Sequence, residues 1–149
     1  MRQPERIRRG IAGFPAGFAA TLIWHQLTLM LLWALAIAPK APFDMTGTHP
    51  YGVPAVLSLA FWGGLWGIAL ALILHRLPRG RASWAWVAAL GAVLPTVIAL
   101  VVVVPIKGGN IGAGWSPAIW LTGLLVNAAW GLGTALFVPP LVSWVKRWY

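Results

Sequence analysis

A chain of 149 residues with 60% hydrophobic side chains, 9% charged ones and a mean hydropathy of +0.80 is not an ordinary soluble domain. In such domains charged residues alone make up about 25%. Eleven Lys and Arg against two Asp and Glu give a formal charge of +9, but these bases flank apolar runs, which argues for membrane topology and against nucleic acid as a partner.

Four apolar runs, 11–38, 53–75, 83–105 and 117–142, contain no Asp, Glu, Lys or Arg. Each exceeds the roughly 20 residues that cross about 30 Å of hydrocarbon at 1.5 Å per residue. The expected fold is all-α: an integral membrane four-helix bundle, with residues 1–149 forming a single transmembrane domain. Arg2, Arg6, Arg8 and Arg9 precede the first run, Arg76, Arg79 and Arg81 lie between the second and third, and Lys146 and Arg147 follow the fourth. With four spans these positions share one side, against only Lys40 and Lys107 on the other. The positive-inside rule then predicts both termini in the cytoplasm and a location in the cytoplasmic (inner) membrane, with the lipid bilayer as first partner.

The first run is roughly twice as long as the 7–15-residue core of a signal peptide, so it reads as a retained helix in spite of Ala36-Ile37-Ala38. Along it Gly10, Gly13, Gly17, Thr21, Trp24 or His25, and Thr28 recur at helical spacing and predict a small, polar stripe that faces protein. The connection that follows holds Pro39, Pro42 and Pro50, which disfavour helix. Asp44 and His49 are its candidates for chemistry. Two such ligands are too few for zinc, and Asp44 before Thr46-Gly47 reads more simply as a turn residue.

In the second run Ala60, Gly64, Gly67 and Ala71 form the packing stripe, and Gly63 with Gly67 makes a GxxxG that lets backbones approach. Pro78 and Gly80 end that helix, and Ser83 is the expected N-cap of the third. Pro95 predicts a kink within the third span, and the glycine-rich segment 106–116 is expected to be mobile. Gly123, Asn127, Trp130 or Gly131, and Thr134 form the stripe of the fourth. The halves resemble each other: Val53-Pro54-Ala55 recurs as Ser116-Pro117-Ala118, and Leu65-Trp66-Gly67 as Ala129-Trp130-Gly131. Two tandem helical hairpins in one orientation would follow, related by a pseudo-two-fold axis along the membrane normal.

Trp33, Trp84, Trp86, Trp115, Trp120, Trp144 and Trp148 fall near span ends, where indoles prefer the headgroup region. Trp24, Trp62, Trp66 and Trp130 lie deeper, where an indole N–H needs an acceptor. Between them, His25, Gln26, Thr28, Thr96 and Asn127 form the candidate intramembrane polar centre. Its simplest role is a His25–Asn127 hydrogen bond between helices, and its sharpest is a proton or solute pathway.

His25, His49 and His75 sit at three depths, so no two within one subunit are expected to grip one haem iron, and neither cofactor nor metal is expected. Cysteine is absent, Glu5 and Asp44 are the only acids, on opposite sides, and neither a P-loop nor an HExxH pattern occurs. The expectation is a non-enzymatic structural, interaction or assembly subunit, as a homo-oligomer or part of a larger membrane complex. The alternative is a small-solute or proton carrier acting through His25 and Asn127. Gly13, Gly17, Gly63, Gly67, Gly123 and Gly131 are the expected helix-packing positions.

Overall fold

The computed structural model describes residues 3–78 and 80–146, so Arg2, Arg79, Arg147 and Trp148 lie outside the described residues. It is 80% helix. Four helices, α1 (Gln3–Ala34), α2 (Ala55–Arg76), α3 (Arg81–Ile106) and α4 (Pro117–Val145), are each long and apolar enough to cross a membrane.

α1 begins well before the apolar run, because Glu5 in its first turn complements the helix dipole and pairs with Arg9 one turn later at 3.1 Å. It also stops short of residue 38. Ala36 turns to φ 57°, its N–H donates to the Trp33 carbonyl at 3.0 Å, and the Ile37 N–H donates to that of Leu32 at 2.9 Å. This is a Schellman closure with alanine where glycine is usual. Behind it Leu32 and Ala38 are buried against Val126 of α4.

Glycines set the contacts within each hairpin. A methyl group built on Gly13 would lie 2.7 Å from the Gly67 carbonyl oxygen, and one on Gly67 2.8 Å from the Gly17 Cα. α1 and α2 therefore run antiparallel with their backbones touching. α3 and α4 do the same: methyls on Gly91 and Gly131 would come within 2.9 Å and 3.1 Å of each other's Cα. Gly67 and Gly131, the equivalent glycines of the sequence repeat, thus each pack on the first helix of their own hairpin.

The two hairpins meet through α1 and α4, giving the lateral order α2–α1–α4–α3. Ala16 packs with Val138, Ala20 with Trp130 and Leu32 with Val126 along this central contact. A strict two-fold arrangement would repeat it between α2 and α3, but no comparable contact occurs there. The likeness of the halves therefore extends to packing within hairpins, and not to packing between them.

Two stretches widen to π-helix, Thr21–His25 in α1 and Ile98–Val103 in α3. The extra residue shifts the buried face of α1 by one position, so that His25 and Gln26 are both buried while Trp24 turns outward. In α3 the widening follows Pro95, which removes a backbone donor. α3 starts at Arg81, with Gly80 at φ 79° in the cap position and Ser83 already inside the first turn. Ser83 is thus not the N-cap, because the glycine's left-handed backbone opens the helix two residues earlier.

Residues 35–54 between α1 and α2 fold back through a two-residue antiparallel ladder, β1 (Gly47–Thr48) with β2 (Val53–Pro54), at the end opposite the basic clusters. Between α3 and α4 the chain makes a tight turn, Ile111–Trp115, with positive φ at Gly112, Ala113, Gly114 and Trp115. There the Trp120 indole Nε1–H donates to the Gly112 carbonyl at 2.9 Å and the ring stacks on Trp115 at 5.4 Å. In this conformation the glycine-rich segment is held against α4 by the Trp120 indole, which stacks on Trp115.

Candidate functional site

The polar residues expected to share one centre are divided into two groups. In α1, Gln26 Nε2 lies 3.3 Å from Nδ1 of His25, and the Gln26 carbonyl oxygen accepts the backbone N–H of Phe43 at 2.6 Å. Gln26 is 2% exposed, so both ends of its amide are used inside the protein. With the amide donating to Nδ1, a neutral imidazole keeps its hydrogen on Nε2.

The second group joins α3 to α4. Asn127 Nδ2 donates to Thr96 Oγ1 at 2.9 Å, and the Thr96 methyl packs on Gly123. The expected His25–Asn127 hydrogen bond is not formed: Asn127 is turned toward α3, and His25 is engaged by its own neighbour. Thr28 is half-buried and belongs to neither group. One position was missed. Thr122, a turn and a half N-terminal to Asn127, buries its hydroxyl oxygen with no partner among the described residues, and a threonine near a helix start gives no sequence signal of that.

Of the four deep tryptophans, Trp66 is half-buried and the other three divide. Trp130 is 3% exposed, and its N–H donates to the Gly17 carbonyl at 3.0 Å. Trp24 and Trp62, at 40% and 58% exposure, lie on the outer surface, where no internal acceptor is required. Trp24 turns out because of the π-widening, yet the edge of its ring still covers Gly133 of α4.

At the end opposite the basic clusters, the Thr46 N–H and hydroxyl donate to Asp44 Oδ1 at 2.9 Å and 2.6 Å. These bonds, the hydroxyl's first, hold the Asp44 carboxyl below its ordinary value. Asp44 is therefore the acceptor of a local turn, and His49 is exposed two residues beyond Gly47. Among the described residues, no group of three or more His, Asp or Glu gathers as metal ligands would.

A cavity of about 710 Å³ opens at the basic end, between α2, α3 and α4. Arg9, His75, Ser83 and Ser143 supply its polar lining, and Leu74, Val87 and Val138 its apolar wall. Residue spacing gives no sign of this cavity, because its four polar residues come from four different helices.

No protein-family model, characterised protein or solved structure matches this chain. Its chemistry therefore rests on geometry alone. Neither polar group sets a nucleophile beside a base and an orienting acid, the arrangement that acyl or phosphoryl transfer uses. Gln26 instead ties α1 to the backbone of Phe43, and Asn127 ties α4 to Thr96 of α3.

Proposed function

We propose that this chain spans the cytoplasmic membrane four times, with both termini in the cytoplasm, and serves as a non-enzymatic subunit that assembles with itself or with other membrane proteins. The charge asymmetry of the flanks supports the orientation. The observation that carries the role is the internal closure of the mid-depth polar residues. His25, Gln26, Asn127 and Thr96 each have a hydrogen-bond partner, in two separate groups, and glycine contacts bring the surrounding backbones together. A transport pathway would leave such groups facing a shared aqueous space.

The remaining surface supports the same reading. Large apolar side chains including Leu31, Phe61, Trp62 and Leu121 face outward on α1, α2 and α4. They suit lipid or neighbouring helices, and helices associate in lipid through close packing and a few hydrogen bonds.

The test uses the absence of cysteine. Thr21→Cys and Thr134→Cys place thiols at buried positions of α1 and α4, 2% and 0% exposed. In liposomes neither should react with a polar thiol reagent, while co-purification from native membrane should recover a larger complex. Rapid labelling at Thr21→Cys, together with solute or proton flux lost in His25→Ala, would replace this reading with a carrier.

A further inference from the structure

We propose that the opening between α2 and α3 at the basic end binds one anionic phospholipid, with its phosphate at Arg9 and its glycerol and first acyl carbons between the two helices. The inference rests on the four-span reading above. Because α2 and α3 lack the close contact that joins α1 to α4, the bundle is open along this edge. The opening is graded in polarity. Its basic end is the 710 Å³ cavity with Arg9, His75 and Ser143, a volume within the roughly 300–1,000 Å³ of small-molecule sites. A turn deeper, Leu70 and Ile73 of α2, Leu90 and Leu94 of α3 and Trp130 line a separate, apolar notch of about 30 Å³.

The charge around it selects the headgroup. Arg8 of α1, Arg76 of α2 and Arg81 of α3 lie at the same end of the bundle, and Glu5 is its one acid among the described residues. Glu5 occupies Nε and Nη2 of Arg9, leaving Nη1 with no hydrogen bond there and free to meet a phosphate. Basic recesses between membrane helices on the cytoplasmic side are suited to anionic headgroups in this way. A second copy is a poorer occupant, because it would bring another +9 chain against the same cluster. A soluble phosphate would leave Leu74 and Val87 uncovered.

Native mass spectrometry of the detergent-purified chain tests this with phosphatidylglycerol, phosphatidylcholine of the same acyl chains, and glycerol phosphate as probes. One phosphatidylglycerol per chain should be retained under activation that strips phosphatidylcholine. Arg9→Gln should lower that retention about fivefold, the share of one guanidinium near a charged headgroup, while Arg6→Gln, equal in charge but outside the cavity, should not. Ser143→Trp, which narrows the cavity, should weaken retention of the adduct while leaving the melting curve of the lipid-free protein in place.

Equal retention of the two lipids would overturn the site, as would equal losses in Arg9→Gln and Arg6→Gln. Full competition by glycerol phosphate would make it a free-anion site, and a protein dimer in place of the adduct would give the opening to a second copy. All these failures leave the spans intact. A chain soluble without detergent would refute the spans themselves.

Discussion

The indole of Trp130 in α4 is tied to the backbone of Gly17 in α1, and the Gly17 carbonyl that accepts its N–H at 3.0 Å also accepts the Thr21 hydroxyl at 2.9 Å. This oxygen lies where both hairpins meet, one turn ahead of the π-helical segment. Trp130→Phe keeps most of the buried ring area and removes only the donor, while Thr21 keeps the acceptor satisfied. A loss of about 1 kcal/mol is expected, the usual worth of one such bond. Trp130→Ala also opens a cavity and should cost about 3–5 kcal/mol. Thermal unfolding in detergent separates the two; a Trp130→Phe protein that melts like the parent would show that the hydrogen bond contributes nothing.

Close backbone approach makes a sharper contrast among glycines that look alike in sequence. A methyl on Gly67 meets the Gly17 backbone at 2.8 Å, whereas one on Gly10 finds its nearest neighbour, Ile68 Cγ2, at 3.9 Å. Gly67→Ala and Gly67→Ile should therefore force α1 and α2 apart, lowering the melting temperature in that order. Gly10→Ala should be neutral, or stabilising by up to about 1 kcal/mol through helix propensity. A Gly67→Ala protein that melts like the parent would show that the helices pack elsewhere.

Much of this arrangement could be read from residue spacing. Small residues at Gly13, Gly17, Ala60, Gly64, Gly67 and Gly131 marked the contact faces, since in lipid the face that permits close approach is the face that packs. What spacing could not supply was the shift at Thr21–His25. A π-widening there has no proline or glycine to announce it, so ordinary helical period leaves Trp24 and His25 as alternatives in the stripe. The pairing of the candidate polar residues was lost for a related reason: similar depth put Asn127 beside His25, but depth carries no information about which neighbour a side chain faces. Thr96 was nearer, and only the lateral order of the helices reveals it.

At the end of α1, Ala36 holds a left-handed conformation at φ 57° to close the helix, an arrangement that costs an L-residue about 1–2 kcal/mol and glycine almost none. After the greater flexibility of glycine in the unfolded chain is subtracted, Ala36→Gly should stabilise by roughly 0.5–1 kcal/mol. A higher melting temperature checks it. The neighbouring Ala34→Gly, at the last residue of the helix, should move it the other way.

The Asp44 turn responds to pH in a defined direction. Its carboxyl lies below the ordinary value because the Thr46 hydroxyl, then the Thr46 N–H, donate to the ionised form. The turn's stabilisation is therefore complete above the unfolded-state carboxyl value and is lost as pH falls through the lower, folded-state one. Amide exchange at Thr46, followed from about pH 6 to about pH 3, should accelerate beyond the intrinsic pH dependence at the acid end. Asp44→Asn keeps an acceptor but cannot titrate, so this additional response should vanish.

The division of the polar residues is itself open to measurement. If Asn127 and Thr96 form one group and His25 and Gln26 another, coupling energies should follow the hydrogen bonds and not the depth of the side chains. A double-mutant cycle on Asn127→Ala and Thr96→Val should give a coupling of roughly 0.6–2 kcal/mol, the range for polar contacts between membrane helices. A cycle on Asn127→Ala and His25→Phe should give nearly none. Gln26→Leu adds a third arm: it leaves the Phe43 N–H without its acceptor, so exchange at that amide should quicken while exchange in α3 stays unchanged. Strong His25–Asn127 coupling would instead join the two groups through space or water, which is the condition a transport pathway requires.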